Sequence, residues 1–236
     1  METNPHTAVP TAAIERELAS VYRLYAALAQ EIRPEFGLGG KLLYAGEPDE
    51  AGCRLIRSAN IAGAAALAAS ADAALLRRVM REGVIDFVVT SLDEALRILK
   101  NEIRKRQTVA VGVSVAPEAI VSQMVERGVL PDLLAPDLPD GTKVFLAQGA
   151  LRVEEMPLPE GKKLLAVEIP VVWAQQPAGF DALLMDHLAP DDHVNRRWVR
   201  LAPRFLGPQA RRVRSLVCDR ETAARLAECV AKAIPD

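Results

Sequence analysis

Between residues 40 and 135 the chain alternates short apolar runs with amphipathic stretches of helical length, and few folds accommodate that pattern. The apolar runs are 41–45, 64–69, 86–90, 109–115 and 132–135. Between them lie 49–60, 72–82, a segment opening at Ser91 and closing at the basic residues 100–106, and 118–127, which Gly128 closes. The runs are nearly continuous rather than alternating, as expected of strands with helices on both faces. Strands alternating with helices of about ten to fifteen residues build βαβ units and a doubly wound, mainly parallel sheet.

Local signals agree with this reading. The segment 72–82 puts Leu75, Leu76 and Val79 on one face. Ser91 followed by Glu94 reads as a capping box, and Leu92, Leu96, Leu99 and Ile103 form the buried stripe of the helix it opens. Lysine and arginine in its last turn complement the helix dipole. Ahead of the sheet, residues 1–9 are a polar tail and Thr11 reads as an N-cap. Ile14, Leu18, Val21, Tyr22, Tyr25, Leu28 and Ile32 then fall on one helical stripe, which Pro34 and the glycines at 37–40 end. Pro139-Asp-Gly reads as a turn. Beyond Pro136 the expectation is strands at 143–147, 163–173 and 212–218, and helices at 180–188, 193–202 and 221–233. Three parts follow: a tail and helix at 1–39, the sheet domain at 40–150, and a smaller α/β segment at 151–236.

Half of the 236 residues are apolar and a quarter are charged, which fits a globular fold. A net charge of −2 leaves no basic excess to hold a phosphate backbone, so nucleic acid is not an expected partner. The opening residues lack the basic start and apolar run of a signal peptide. The most apolar stretch, 61–69, is too short to cross a bilayer. A cytoplasmic protein without membrane contact is therefore expected. Cys53, Cys218 and Cys229 are odd in number and without paired spacing, so they fit neither a disulfide framework nor a zinc site.

Several segments in order resemble a known family. Tyr22-Arg-Leu-Tyr-Ala-Ala-Leu-Ala-Gln and Gly40-Lys-Leu-Leu-Tyr-Ala-Gly46 are similar to the helix and first strand of the urocanase NAD domain. Ser91-Leu-Asp-Glu-Ala-Leu and Met124-Val-Glu-Arg-Gly-Val129 with Pro131-Asp-Leu follow that pattern. So do Asp181-Ala-Leu-Leu, Arg197, Trp198, Ala202 and Gly207-Pro-Gln-Ala-Arg211. The resemblance implies a Rossmann-like sheet, a dimeric habit, NAD as cofactor and urocanate hydration as activity. It also implies an enzyme more than twice this length, whose opening and closing catalytic portions have no counterpart here.

The positions implied for NAD are altered. Where the family has a glycine-rich turn, this chain has Gly46-Glu-Pro-Asp-Glu-Ala-Gly52, so only Gly46 and Gly52 remain. Pro48 has no N–H, and Glu47, Asp49 and Glu50 repel a pyrophosphate. Those acids equally suit the first turn of a helix. Ala69 and Ser70 stand where the family places its ribose-binding Glu, Val115-Ala116 replace a Gly-Asn pair, and Asp137 alone remains of a polar loop. The remnants of a cofactor site are thus Gly46, Asp49, Gly52, Ser70 and Asp137. The family's cysteine position falls on Arg214, and Cys218, four residues on, is the candidate thiol. Arg211, Arg212 and Arg214 are candidates for binding an anion. His187 and His193 stand near Asp186, Asp191 and Asp192, where the acids also serve as helix caps, and no metal is expected. The resulting expectation is a urocanase-like module without hydratase activity or bound cofactor, holding a small anionic ligand or acting as a scaffold. The alternatives are an NAD-dependent hydratase or lyase, and a structural or regulatory subunit; a homo-oligomer, in particular a dimer, is expected throughout.

Overall fold

The computed structural model describes residues 12–30, 37–138 and 140–232. Thr11, Ile32, Pro34 and Pro139 lie outside the described residues. The chain divides into two compact units, Val21–Met156 and Met1–Ser20 with Pro157–Asp236.

The first unit is built on a parallel sheet of β1 (Leu42–Gly46), β2 (Ala65–Ala69), β3 (Phe87–Val89), β4 (Ala110–Val113), β5 (Leu133–Leu134) and β6 (Leu151–Arg152). The strand order is β3-β4-β2-β1-β5-β6, with every pairing parallel. All residues of β1, β2 and β4 are buried, as their unbroken apolar runs require. Between the strands run α2 (Glu50–Ala62), α3 (Ala73–Arg81), α4 (Leu92–Arg104) and α5 (Pro117–Glu126). The core joins strand residues Leu67, Val111 and Val113 to Leu92, Ala95 and Leu99 of α4 and to Ile120 and Met124 of α5. Gly63 ends α2 in the left-handed conformation, with φ of 107°. The long helix α1 (Ala12–Ala29) carries the expected stripe, with Leu18, Val21, Tyr22, Tyr25 and Leu28 buried.

Caps were legible from sequence. Ser91 accepts from the Glu94 N–H, and the Glu94 carboxylate reaches back to the N–H and hydroxyl of Thr90. Those bonds, the backbone N–H first, hold the Glu94 carboxyl below its ordinary value of 4.5. A lowered folded-state value means a contribution that is complete above pH 4.5 and lost as pH falls through the depressed value. Amide protection in the first turn of α4 is therefore expected to drop selectively on acidification. An unchanged protection profile there would contradict this account of the cap.

Two expectations are corrected after β5. Residues 143–147 form a short helix, α6 (Lys143–Ala147), not a strand, and it continues a 3-10 turn at Asp140–Thr142. Phe145 is buried and Val144 and Leu146 pack partly against the core, a distribution one helical turn achieves as well as a strand. The sixth strand is instead β6.

The second unit contains an antiparallel pair, β7 (Lys163–Glu168) and β8 (Val213–Cys218), with α7 (Pro177–Asp186), α8 (His193–Phe205) and α9 (Arg220–Lys232). The expected strand at 163–173 stops at Glu168, before Pro170, and a 3-10 turn occupies Val171–Trp173. Helix α8 is tied to β8 by polar side chains. Asn195 takes both the N–H and the carbonyl of Val217, and the indole N–H of Trp198 donates to Ser215. A buried indole and amide with their hydrogen bonds met fix the helix against the strand.

Candidate functional site

Strand order reverses at β1, since the chain leaves it for β2 on one side and β5 returns on the other. A doubly wound sheet opens its ligand crevice at such a point, outside the carboxyl ends of the strands. A crevice of about 480 Å³ lies there. Its walls are Ala45 and Gly46 at the end of β1, Glu47 and Asp49 after it, Ala51, Gly52, Arg54 and Leu55 of α2, and Ala135 to Leu138 after β5. Pro117 and Glu118 at the start of α5, Leu24 of α1 and Glu155 complete it. Four of the five positions implied by the resemblance, Gly46, Asp49, Gly52 and Asp137, converge on this crevice. Ser70 stands one bond behind it, donating to Glu47 at 2.7 Å.

The turn from β1 to α2 is locked by its own residues. Gly46 has φ of +70°, which favours glycine, and a Cβ there would sit 2.6 Å from Leu138 Cδ2. Gly52 lies directly beneath the turn: a Cβ would come within 2.2 Å of the Glu47 carbonyl oxygen. The Asp49 carboxylate caps α2 by accepting the Gly52 N–H at 2.8 Å. The Cys53 thiol donates to the Pro48 carbonyl at 3.2 Å. Burial first, then nearby acids against nearby arginines, leaves that thiol pushed up to about 11, which disfavours the thiolate a nucleophile needs.

A helix N-terminus in this position receives a pyrophosphate through free N–H groups and a glycine backbone open to close approach. Here the Gly52 N–H is already taken by Asp49, Pro48 has none to give, and Leu138 covers Gly46. Five acidic residues, Glu47, Asp49, Glu118, Asp137 and Glu155, line the crevice with the single basic residue Arg54, and Glu155 is paired with Arg23 at 2.7 Å. Arg54 is itself paired with Glu50 at 2.8 Å. The residues present do not suit a dinucleotide diphosphate.

The sheet order, the crevice at its reversal and the glycine-bounded turn define the class: a doubly wound, Rossmann-like domain. Within that class, residues 25–139 match the family model described as the urocanase Rossmann-like domain. Residues 25–139 are therefore similar to the Rossmann-like domain of urocanase.

The other sequence candidates lie in the second unit. Cys218 ends β8, buried, and burial followed by the neighbouring Asp219 raises its thiol above the ordinary value. That is the opposite of what an attacking thiolate needs. Arg214 is buried, with Nε and Nη2 on the Asp181 carboxylate and Nη1 on the carbonyls of Ala210 and Val213. Arg211 and Arg212 are exposed. The basic run therefore does not present three free guanidinium groups to an anion. His193 and His187 do not share a centre: among the described residues no group of three or more His, Cys, Asp or Glu side chains is placed to hold a metal. Asp192 is a helix cap, accepting from Asn195. Glu118, Leu138, Glu155 and Arg54 in the crevice were not singled out by sequence. Glu118 arrives from α5 and Glu155 from beyond β6, while Arg54 and Leu138 neighbour Gly52 and Asp137, and no local pattern marks any of them.

Proposed function

We propose that this chain is a ligand-binding module of the urocanase family that does not use NAD and does not hydrate urocanate. Its crevice takes a small ligand that is neutral or cationic. The observation that carries the reading is the lining: five acidic residues and one arginine stand where the fold would otherwise seat two phosphates. At separations of a few ångström, like charges in a partly desolvated cleft repel by more than a surface pair does. The anionic ligand suggested by the sequence gives way on the same ground. The arginines behind that suggestion lie outside the crevice's lining, and Arg214 is occupied by Asp181.

A panel of thermal shifts tests this reading. Adenosine, a short diamine, urocanate and NAD are each titrated against the purified chain at low ionic strength. Stabilisation by a saturating ligand follows its concentration relative to Kd, so even weak binders register at millimolar levels. The diamine or the neutral nucleoside is expected to raise Tm, and NAD and urocanate to leave it unchanged. A rise with NAD alone, or loss of urocanate absorbance on incubation with the protein and NAD, favours the hydratase reading and defeats this one. The expected dimer is checked separately by light scattering. The exposed Phe87 on edge strand β3 and Leu151 on edge strand β6 are the apolar positions through which a second copy would add.

A further inference from the structure

Cys229 was the least conspicuous of the three cysteines in sequence, yet its surroundings differ from those of the other two. Cys53 and Cys218 are buried, whereas Cys229 on α9 is only half-buried. The Nε2 atom of His187 lies 3.3 Å from its sulfur. His187 caps the C-terminus of α7, and its other ring nitrogen, Nδ1, lies 2.9 Å from the carbonyl oxygen of Leu183. A carbonyl only accepts, so Nδ1 carries the proton and donates. In the neutral ring, Nε2 is then the basic nitrogen, and it faces the thiol. A nucleophile, a base within reach and a third group fixing the base's tautomer are the parts of an activated cysteine.

We infer that Cys229 is a modification site: a thiol activated by His187 for attack on low-molecular-weight disulfides and soft carbon electrophiles. With a disulfide RSSR, the Cys229 S–H proton moves to His187 Nε2 as sulfur attacks. The new S–S bond forms between Cys229 and the attacked sulfur, the S–S bond of RSSR breaks, and His187 returns the proton to the departing RS⁻. The products are a mixed disulfide on Cys229 and one RSH, with no external oxidant. The imidazolium formed in passing keeps both N–H groups engaged, on Leu183 and on sulfur. It lies at the carboxyl end of α7, where the helix dipole favours a cation. Asp186 beside it on α7 and Glu228 beside Cys229 on α9 are exposed carboxylates. Arg196 of α8 donates to the Met185 and Leu188 carbonyls that flank the histidine. No residue of the crevice takes part, so this site stands or falls apart from the proposed ligand.

The test is site-resolved labelling of the intact chain with iodoacetamide, and separately with oxidised glutathione, at neutral pH. Peptide mass spectrometry gives a rate for each cysteine. Cys229 is expected to react faster than a free cysteine in a short peptide, while Cys53 and Cys218 stay protected. His187→Gln keeps a side chain that bonds but removes the base, and is expected to slow Cys229 by about tenfold or more. Protection of Cys53 and Cys218 in that variant shows that it is folded. A wild-type Cys229 rate no higher than that of the free peptide overturns the inference without any variant. Equal rates in wild type and His187→Gln overturn it as well.

Discussion

Replacing Gly52 with alanine is expected to destabilise the sheet domain by about 2–3 kcal/mol, the cost of forcing an atom into a filled space. Helix propensity alone gives the opposite sign, a gain of up to about 1 kcal/mol for alanine over glycine within a helix. The steric effect dominates because the added Cβ would lie 2.2 Å from the Glu47 carbonyl oxygen and 3.2 Å from its carbon. Backbone cannot rotate away as a flexible side chain can. The turn is also held at three further points, by Asp49, by Cys53 on Pro48 and by Glu47 on Ser70. Hydrogen exchange of the buried β1 and β2 amides measures the effect. Unchanged or slower exchange would mean that the turn yields easily, and that its glycine is not kept for backbone packing.

The second large effect concerns Arg214. Asp181→Ala is expected to cost about 3 kcal/mol or more, because it strands a buried guanidinium without its carboxylate. The side chain of Arg214 is 6% exposed and that of Asp181 is 25% exposed. Replacing both, as Asp181→Leu with Arg214→Met, is expected to recover most of the loss, since apolar groups of similar volume need no pairing. Both tryptophans, Trp173 and Trp198, lie in the second unit, so urea unfolding followed by their fluorescence reports on it. A single variant with wild-type stability would show that the pair carries little, and would return Arg214 to the pool of available cations.

The sequence revealed the parallel sheet because each of its longer strands is an unbroken apolar run between recognisable caps. Ser91, Asp49 and Gly63 act as their types predict. It was less informative where elements are short. Residues 143–147 have the composition of either a strand or a helical turn, and β6 is two residues long with both side chains exposed. Of the site, the glycines bounding the first turn and Asp137 could be located, because the fold fixes where that turn must be. The charge of the crevice could not be fully read. Glu118 and Glu155 enter from α5 and from beyond β6, and only the folded chain brings them to Glu47 and Asp49. The partnership of His187 with Cys229 spans 42 residues for the same reason. Arginines that cluster in sequence conversely separate in space, one buried on Asp181 and two at the surface.

The most direct test of the central claim is mass spectrometry of the supernatant from freshly purified, heat-denatured protein, calibrated for NAD. The crowding of carboxylates at the first turn predicts that no NAD is released. Release approaching one NAD per chain would show that the crevice seats a dinucleotide despite that charge, and would contradict the account.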